Sequence, residues 1–215
     1  MSLRRTGISD RWLALAESAL LGAGRDENPL NGRPTPASGI EDCALTTPKR
    51  IDVAGMMRVN HTGEVCAQAL YLGQAAVARN AQTREHLLRA ASEELDHLNW
   101  CQLRLDELAA RPSLFNPLWY AGSFFIGAGA ALFGDRVSLG FVVETERQVE
   151  AHLGEHLQRL PEEDLRSRAI LQTMQREEGE HGDAALQSGG VDLPVAITRV
   201  MALISGLMKA IAYRI

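Results

Sequence analysis

Two short segments of this chain set a glutamate and a histidine three residues apart, Glu94-Leu-Asp-His97 and Glu178-Gly-Glu-His181. Both lie in runs with helical periodicity, so each pair projects from one helical face and can hold a single ion. Each pair also has an earlier glutamate at matched spacing: Glu64 stands 30 residues before Glu94, and Glu146 stands 32 before Glu178. One Glu-x-x-His is weak evidence, because acids and histidines meet by chance on solvated helices. The doubled pattern is far more demanding, since it needs two helical hairpins that turn six polar side chains inward.

The periodicity and stop signals agree with such hairpins. Helices are predicted over roughly 51–80, 83–110, 136–159 and from Pro161-Glu-Glu-Asp to Ser188-Gly-Gly. Asn80 separates the first two, and Pro112 stops the second. The expected fold is all-α: a ferritin-like four-helix bundle with a hydrophobic crossover between its second and third helices and an extra C-terminal amphipathic helix. Residues 51–215 would form this domain and residues 1–50 an N-terminal extension. In the extension, residues 10–21 read as a short amphipathic helix. Gly22 to Pro48 holds four of the eight prolines and reads as a linker or an ordered wrap.

Neighbouring acids are separated by the faces they share. Glu146 lines up with Leu139, Val142, Val149 and Leu153, whereas Glu144 lines up with Gly140, Arg147, Gln148 and Ala151. Glu94 falls with Leu87, Ala91, Leu98 and Leu105, and Glu93 with Arg89, Asp96 and Arg104. Glu178 shares a face with Leu171, Met174 and Ala185, although Glu177 also aligns with Met174. His86 and His156 read as ordinary residues of solvated faces. His152 sits nearly on the Glu146 face and is a candidate for a place behind the ligands or in a substrate pocket, against an ordinary polar contact. Asn60 and His61, one turn before Glu64, are similar candidates, and Cys66 reads as packing.

Four glutamates supply four negative charges, enough to balance two divalent cations, and two neutral imidazoles add nitrogen donors. Facing inward without metal, these groups would be badly desolvated. Oxygen and nitrogen donors suit iron or manganese, and the lack of cysteine donors argues against zinc or iron–sulfur sites. The ligand types leave iron and manganese open.

Arg58-Val-Asn-His-Thr-Gly-Glu64, Glu94-Leu-Asp-His97, Val143-Glu-Thr-Glu146 and Arg176-Glu-Glu-Gly-Glu-His181 resemble the demethoxyubiquinone hydroxylases, ferritin-like di-iron monooxygenases of ubiquinone biosynthesis. The resemblance covers about residues 51–215, and Asn-His-x-Gly-Glu is its most specific element. It implies two Fe ions per chain, one on Glu64, Glu94 and His97, the other on Glu146, Glu178 and His181, with bridging glutamate. It further implies O₂-dependent hydroxylation of a polyprenylated demethoxyubiquinol ring. Many animal relatives carry tyrosine after the histidine matching His152; this chain has Leu153 there, so no tyrosine serves at that position. No glycine-rich nucleotide fingerprint is present, which leaves a tightly bound nicotinamide or flavin unsupported.

A greasy substrate would account for two remaining segments. Residues 112–134 contain no charged side chain, and Leu193–Ile215 carries only the basic Arg199, Lys209 and Arg214. The first reads as a crossover that dips into one leaflet, the second as an interfacial helix beside lipid phosphates; their alternatives are a buried connection or true span, and a bundle helix or oligomer contact. The expected location is the cytoplasmic side of the cell inner membrane, as a peripheral protein, with the membrane surface, other ubiquinone-biosynthesis proteins and further copies of the chain as candidate partners. A net charge of −5 argues against nucleic acid. Three cysteines without metal-like spacing fit a reducing compartment, and no signal-type apolar run follows the basic N-terminus. The competing functions are another ferritin-like di-iron or di-manganese oxidase or peroxidase, and a non-catalytic helical protein of the membrane surface.

Overall fold

The structure, a computed structural model, describes residues 32–215. The short helix expected over 10–21 lies outside the described residues. Those described form six helices and no strand: α1 (Thr47–Val77), α2 (Ala81–Glu107), α3 (Asn116–Leu132), α4 (Asp135–Arg159), α5 (Leu165–Gln187) and α6 (Val195–Ala212). Helices α1, α2, α4 and α5 make the bundle, as two hairpins. Helix α3 is the crossover and lies along α1, and α6 packs on α1 and α4.

Local chemistry sets the ends. Pro48 stands in the first turn of α1, where its missing N–H is not needed. The Asn80 side chain accepts from the Gln82 N–H at 2.8 Å to cap α2. The Asp135 carboxylate, at the start of α4, accepts from the Arg79 and Asn80 backbone N–H groups and ties one hairpin to the other. Helix α5 begins at Leu165 rather than at Pro161. The physical reason is Asp164, whose carboxylate accepts from the Ser167 N–H at 3.0 Å and so fixes the cap four residues later than expected.

Close contact between α1 and α3 depends on two glycines. A Cβ on Gly73 would lie 2.0 Å from the Phe124 carbonyl oxygen, and one on Gly127 would lie 2.1 Å from that of Leu70. Only a residue without a side chain lets the two backbones meet.

The core divides around the polar centre of the bundle. One cluster includes Met56, Met57, Leu105, Leu153, Leu171 and Met174, and the other Tyr71, Leu72, Leu87 and Val142. Arg104 is fully buried among them, a role its apparent place on a polar face did not suggest. It donates to Ser167 Oγ, Asp164, Glu107 and Asp42, so the charge is paired on every side. Asp42 belongs to the chain before α1, which in the described part, 32–46, lies ordered against α2 and α5. Ala37 is buried there, Trp100 Nε1 donates to the Arg33 carbonyl, and Arg166 donates to that of Ile40. Cys43, Cys66 and Cys101 are free thiols.

Candidate metal centre

The six predicted ligands come together in the middle of the bundle. Glu64 is on α1, Glu94 and His97 on α2, Glu146 on α4, and Glu178 and His181 on α5. Two overlapping groups form, Glu64–Glu94–His97–Glu178 and Glu94–Glu146–Glu178–His181, and within each the candidate donor atoms lie within 4.8 Å of one another. Glu94 and Glu178 belong to both, so each could be shared between two ions. All four glutamates and His97 are buried, and His181 is nearly so.

The donor atoms are directed at one another rather than at protein partners. Glu94 Oε1, Glu146 Oε2, Glu178 Oε2 and His181 Nδ1 are buried with no hydrogen-bond partner. Leaving so many polar atoms unsatisfied is costly, and cations at the centre would satisfy them together. The residues therefore fit a pair of divalent ions.

The electrostatics describe the same crowding. Burial, with the nearby Glu178 and Glu94 carboxylates, pushes Glu146 well above the usual carboxyl range, and burial raises Glu64 too. Against the cost of burial, the adjoining His181 and His97 imidazoles hold Glu94 below that range. Burial would lower His97, yet the carboxylates around it, Glu177 foremost, raise it far above an ordinary imidazole. Four acids sharing one dry space are stable only when positive charge is shared among them.

Glu93 and Glu177, the acids set aside by the face comparison, have their own task. The Nδ1 atoms of both histidines point into the cluster and the Nε2 atoms point away. His97 Nε2 lies 2.9 Å from Glu177 Oε2, and His181 Nε2 lies 3.0 Å from Glu93 Oε2. Each carboxylate thus holds the far side of the histidine on the opposite helix, fixing its tautomer with Nδ1 free to ligate. The signal was in the sequence as a repeated Glu-Glu-x-x-His, although spacing alone cannot tell which glutamate faces which ion. Glu144 is buried but outside the cluster, its carboxylate accepting from Arg147 and Gln148. The Tyr71 hydroxyl donates to Glu146, a contact the sequence did not reveal.

A second polar group lies behind Glu64. His156 is buried, not solvated as its sequence position suggested, because α1 covers it with Asn60. Asn60 Oδ1 lies 3.2 Å from His152 Nε2 and 2.9 Å from His156 Nδ1. His61 is buried beside Asn116. Burial lowers all three histidines, His61 and His156 to about 4 and His152 to about 3, with Arg159 and Lys209 adding to the effect on His156. Their folded pKa values thus lie below the unfolded value of about 6.5, so the unfolded chain takes up protons first as pH falls. The stability they allow is complete above pH 6.5 and is lost on acidification towards their folded values. His156→Gln is expected to reduce this acid sensitivity by up to about 1.4 kcal/mol per pH unit between pH 6.5 and 4, measured by urea unfolding. An unchanged slope would contradict a neutral buried His156.

An apolar cavity of about 380 Å³ adjoins the cluster, between α1, α3, α4 and α6. Its wall includes Leu70, Leu118, Ile126 and Met208, with His152 and Gln148 among its few polar members. Gly63 and Thr145, chain neighbours of Glu64 and Glu146, also line it. The lining Cys66 has its thiol pKa pushed up to about 11 by burial and is unreactive there.

Known proteins are similar to this chain in sequence. A protein from Xanthomonas campestris pv. campestris (strain 8004) is 63% identical over 187 residues, covering 87% of this chain and 86% of its own length. One from Xanthomonas axonopodis pv. citri (strain 306) is 61% identical over 188 residues, and one from Xylella fastidiosa (strain Temecula1 / ATCC 700964) is 56% identical over 188, each with 87% of both chains covered. All three bear the name 3-demethoxyubiquinol 3-hydroxylase. The family profile described as "Ubiquinone biosynthesis protein COQ7" matches residues 52–212, a span holding all six clustered ligand candidates. With that match, and with close relatives over most of its length, the chain belongs to the COQ7 family of ubiquinone biosynthesis proteins.

Proposed function

We propose that this protein is a 3-demethoxyubiquinol 3-hydroxylase that hydroxylates the ring of a polyprenylated demethoxyubiquinol with O₂. The observation that carries this reading is the pair of carboxylate–histidine groups, set in a bundle with an apolar cavity lined by Gly63 and Thr145, the chain neighbours of Glu64 and Glu146. Glu64, Glu94, His97 and Glu178 would hold one iron, and Glu94, Glu146, Glu178 and His181 the other. When bound, the iron pair supplies the reduction of O₂, one oxygen atom passing to the ring and the other leaving as water, with two electrons from a reductant.

The chain's own residues supply position and dryness. Leu70, Leu118, Ile126 and Met208 would take the apolar parts of the quinol and exclude water from the reacting edge of the ring. Gln148 and His152 give the cavity wall its polar points for the ring oxygens. Burial holds His152 neutral, so it stands in the cavity wall as an uncharged polar group that brings no ion into the apolar site. In this reading residues 51–215 are the catalytic unit, and the extension before them is its arm.

A membrane surface is the natural source of such a substrate. Helices α3 and α6 flank the cavity and expose Leu118, Phe125, Phe133, Val200, Leu203 and Leu207. Helix α6 is long and apolar enough to cross a membrane by length and composition. Its C-terminal end is instead tied to α1, where Arg58 Nη1 donates to the Tyr213 carbonyl at 2.9 Å and the Tyr213 hydroxyl donates to Asp52. That anchoring favours a helix lying in the interface, with Arg199 and Lys209 towards lipid phosphates; the place proposed for the protein is peripheral, on the cytoplasmic side of the inner membrane.

The direct test is quinone profiling by mass spectrometry in cells lacking the protein. A demethoxy quinone is expected to accumulate, and wild type but not His181→Ala is expected to clear it. Absence of that intermediate, or full rescue by His181→Ala, would refute the assignment.

A further inference from the structure

The two halves of the cluster look alike in sequence, yet their histidines are held very differently. Glu177, which takes the outer nitrogen of His97, is itself gripped by the arm that precedes α1. Arg33 Nη1 donates to Glu177 Oε1 at 3.0 Å and Arg33 Nη2 to Glu177 Oε2 at 2.8 Å, a two-point fork. The same guanidinium donates through Nε to Asp96 at 2.6 Å, and its face lies 4.8 Å from the Trp100 ring centre. The Arg33 backbone is fixed as well, by Asp96 accepting its N–H and by Trp100 donating to its carbonyl. Arg176 adds one bond to Glu177 at 3.0 Å. Glu93, the counterpart that takes His181, has a side chain 43% exposed against 11% for Glu177. Among the described residues no arginine or lysine pairs with Glu93.

We propose that Arg33 and Glu177 are positioning residues that make the two metal positions unequal, holding the ion on the His97 side more tightly than the ion on the His181 side. A locked carboxylate keeps the His97 ring at one angle with its Nε2–H outward, so little freedom is lost when Nδ1 takes an ion. His181 relies on a solvated carboxylate that can turn away, which leaves its ion easier to exchange. The N-terminal arm thereby becomes part of the metal centre through a chain of three groups, Arg33, Glu177 and His97. This inference rests on the two-metal reading of the cluster.

The test is anaerobic titration of the full-length, metal-free protein with cobalt(II), using a competing chromophoric chelator for affinity and proton NMR for the paramagnetically shifted imidazole N–H signals. Wild type is expected to bind two ions in separate steps. The first should bring one slowly exchanging N–H signal from His97, and the second a faster-exchanging one from His181. Glu177→Gln is expected to weaken the first step by about 10- to 100-fold and speed exchange of its signal, with the second step unmoved. Arg33→Ala should act in the same direction and less strongly, because Arg176 remains on Glu177. Asp96→Asn, which loosens the arm but leaves the Arg33–Glu177 fork, should weaken the first step less than Arg33→Ala and leave the second unmoved. Two bound ions with an unaltered first step in Arg33→Ala and Glu177→Gln would overturn the inference alone, as would equal weakening of both steps. Fewer than two ions in wild type would overturn the two-metal reading together with it.

Discussion

Replacing Glu178 with alanine is expected to abolish both metal uptake and ring hydroxylation while the helices remain. Glu178 belongs to both halves of the cluster: its Oε1 lies 3.1 Å from His97 Nδ1 and its Oε2 lies 3.7 Å from His181 Nδ1. No other acid can take over, because Glu177 points to the outer nitrogen of His97 and is engaged by Arg33. Loss of a group that merely orients a ligand lowers metal affinity or activity by about 10- to 100-fold, so loss of a shared ligand should exceed that range. Helical content should hold, since the α5 packing residues Ile170, Leu171 and Met174 are untouched. Iron per chain after anaerobic loading, product formation by mass spectrometry and circular dichroism measure the three parts. On α4 the contrast is sharper: Glu146→Ala should fail in the same way and Glu144→Ala should stay active. Two irons per chain in Glu178→Ala, or the reverse order for Glu146 and Glu144, would refute the ligand assignment.

The second large effect concerns the apolar face. Leu203 and Leu207 of α6 are 74% and 59% exposed, so charging both should leave the bundle intact and act on membrane binding. Each leucine moved out of water contributes about 1.5–3 kcal/mol, so Leu203→Glu with Leu207→Glu is expected to lower partition into lipid vesicles by at least about 100-fold. Vesicles of anionic lipid should bind the wild type better than neutral ones, since each basic residue near such a surface contributes about 1 kcal/mol. Flotation of the double variant with vesicles as efficiently as wild type would remove the membrane-facing role of α6.

Much of the fold was legible because helices write themselves locally. Pro48, Asn80, Pro112 and Gly189 punctuate the chain, and apolar spacing marks the faces between them. Helix ends shifted by a few residues where a side chain outside the simple pattern intervened, as Asp164 did at the start of α5. His156 was misjudged for a related reason: its polarity suits a solvated face, and only α1 closing over it with Asn60 makes the site buried. Arg104 was hidden in the same way, since of its four partners only Glu107 lies on its own helix; Asp42, Asp164 and Ser167 come from other parts of the chain.

The six candidate ligands could be chosen from sequence because Glu-x-x-His is a property of one helix. Its duplication with upstream glutamates constrains which helices must meet. Which nitrogen of each histidine faces inward, which carboxylates are shared, and what holds each ring from behind depend on side chains of different helices approaching within 4 Å. No spacing along the chain encodes those approaches. Pairing Glu94 and His97 on one helix was therefore a matter of sequence alone. Joining Glu177 of α5 to His97 of α2, and Arg33 of the arm to Glu177, required the tertiary structure, because packing alone brings residues so far apart in the chain into contact.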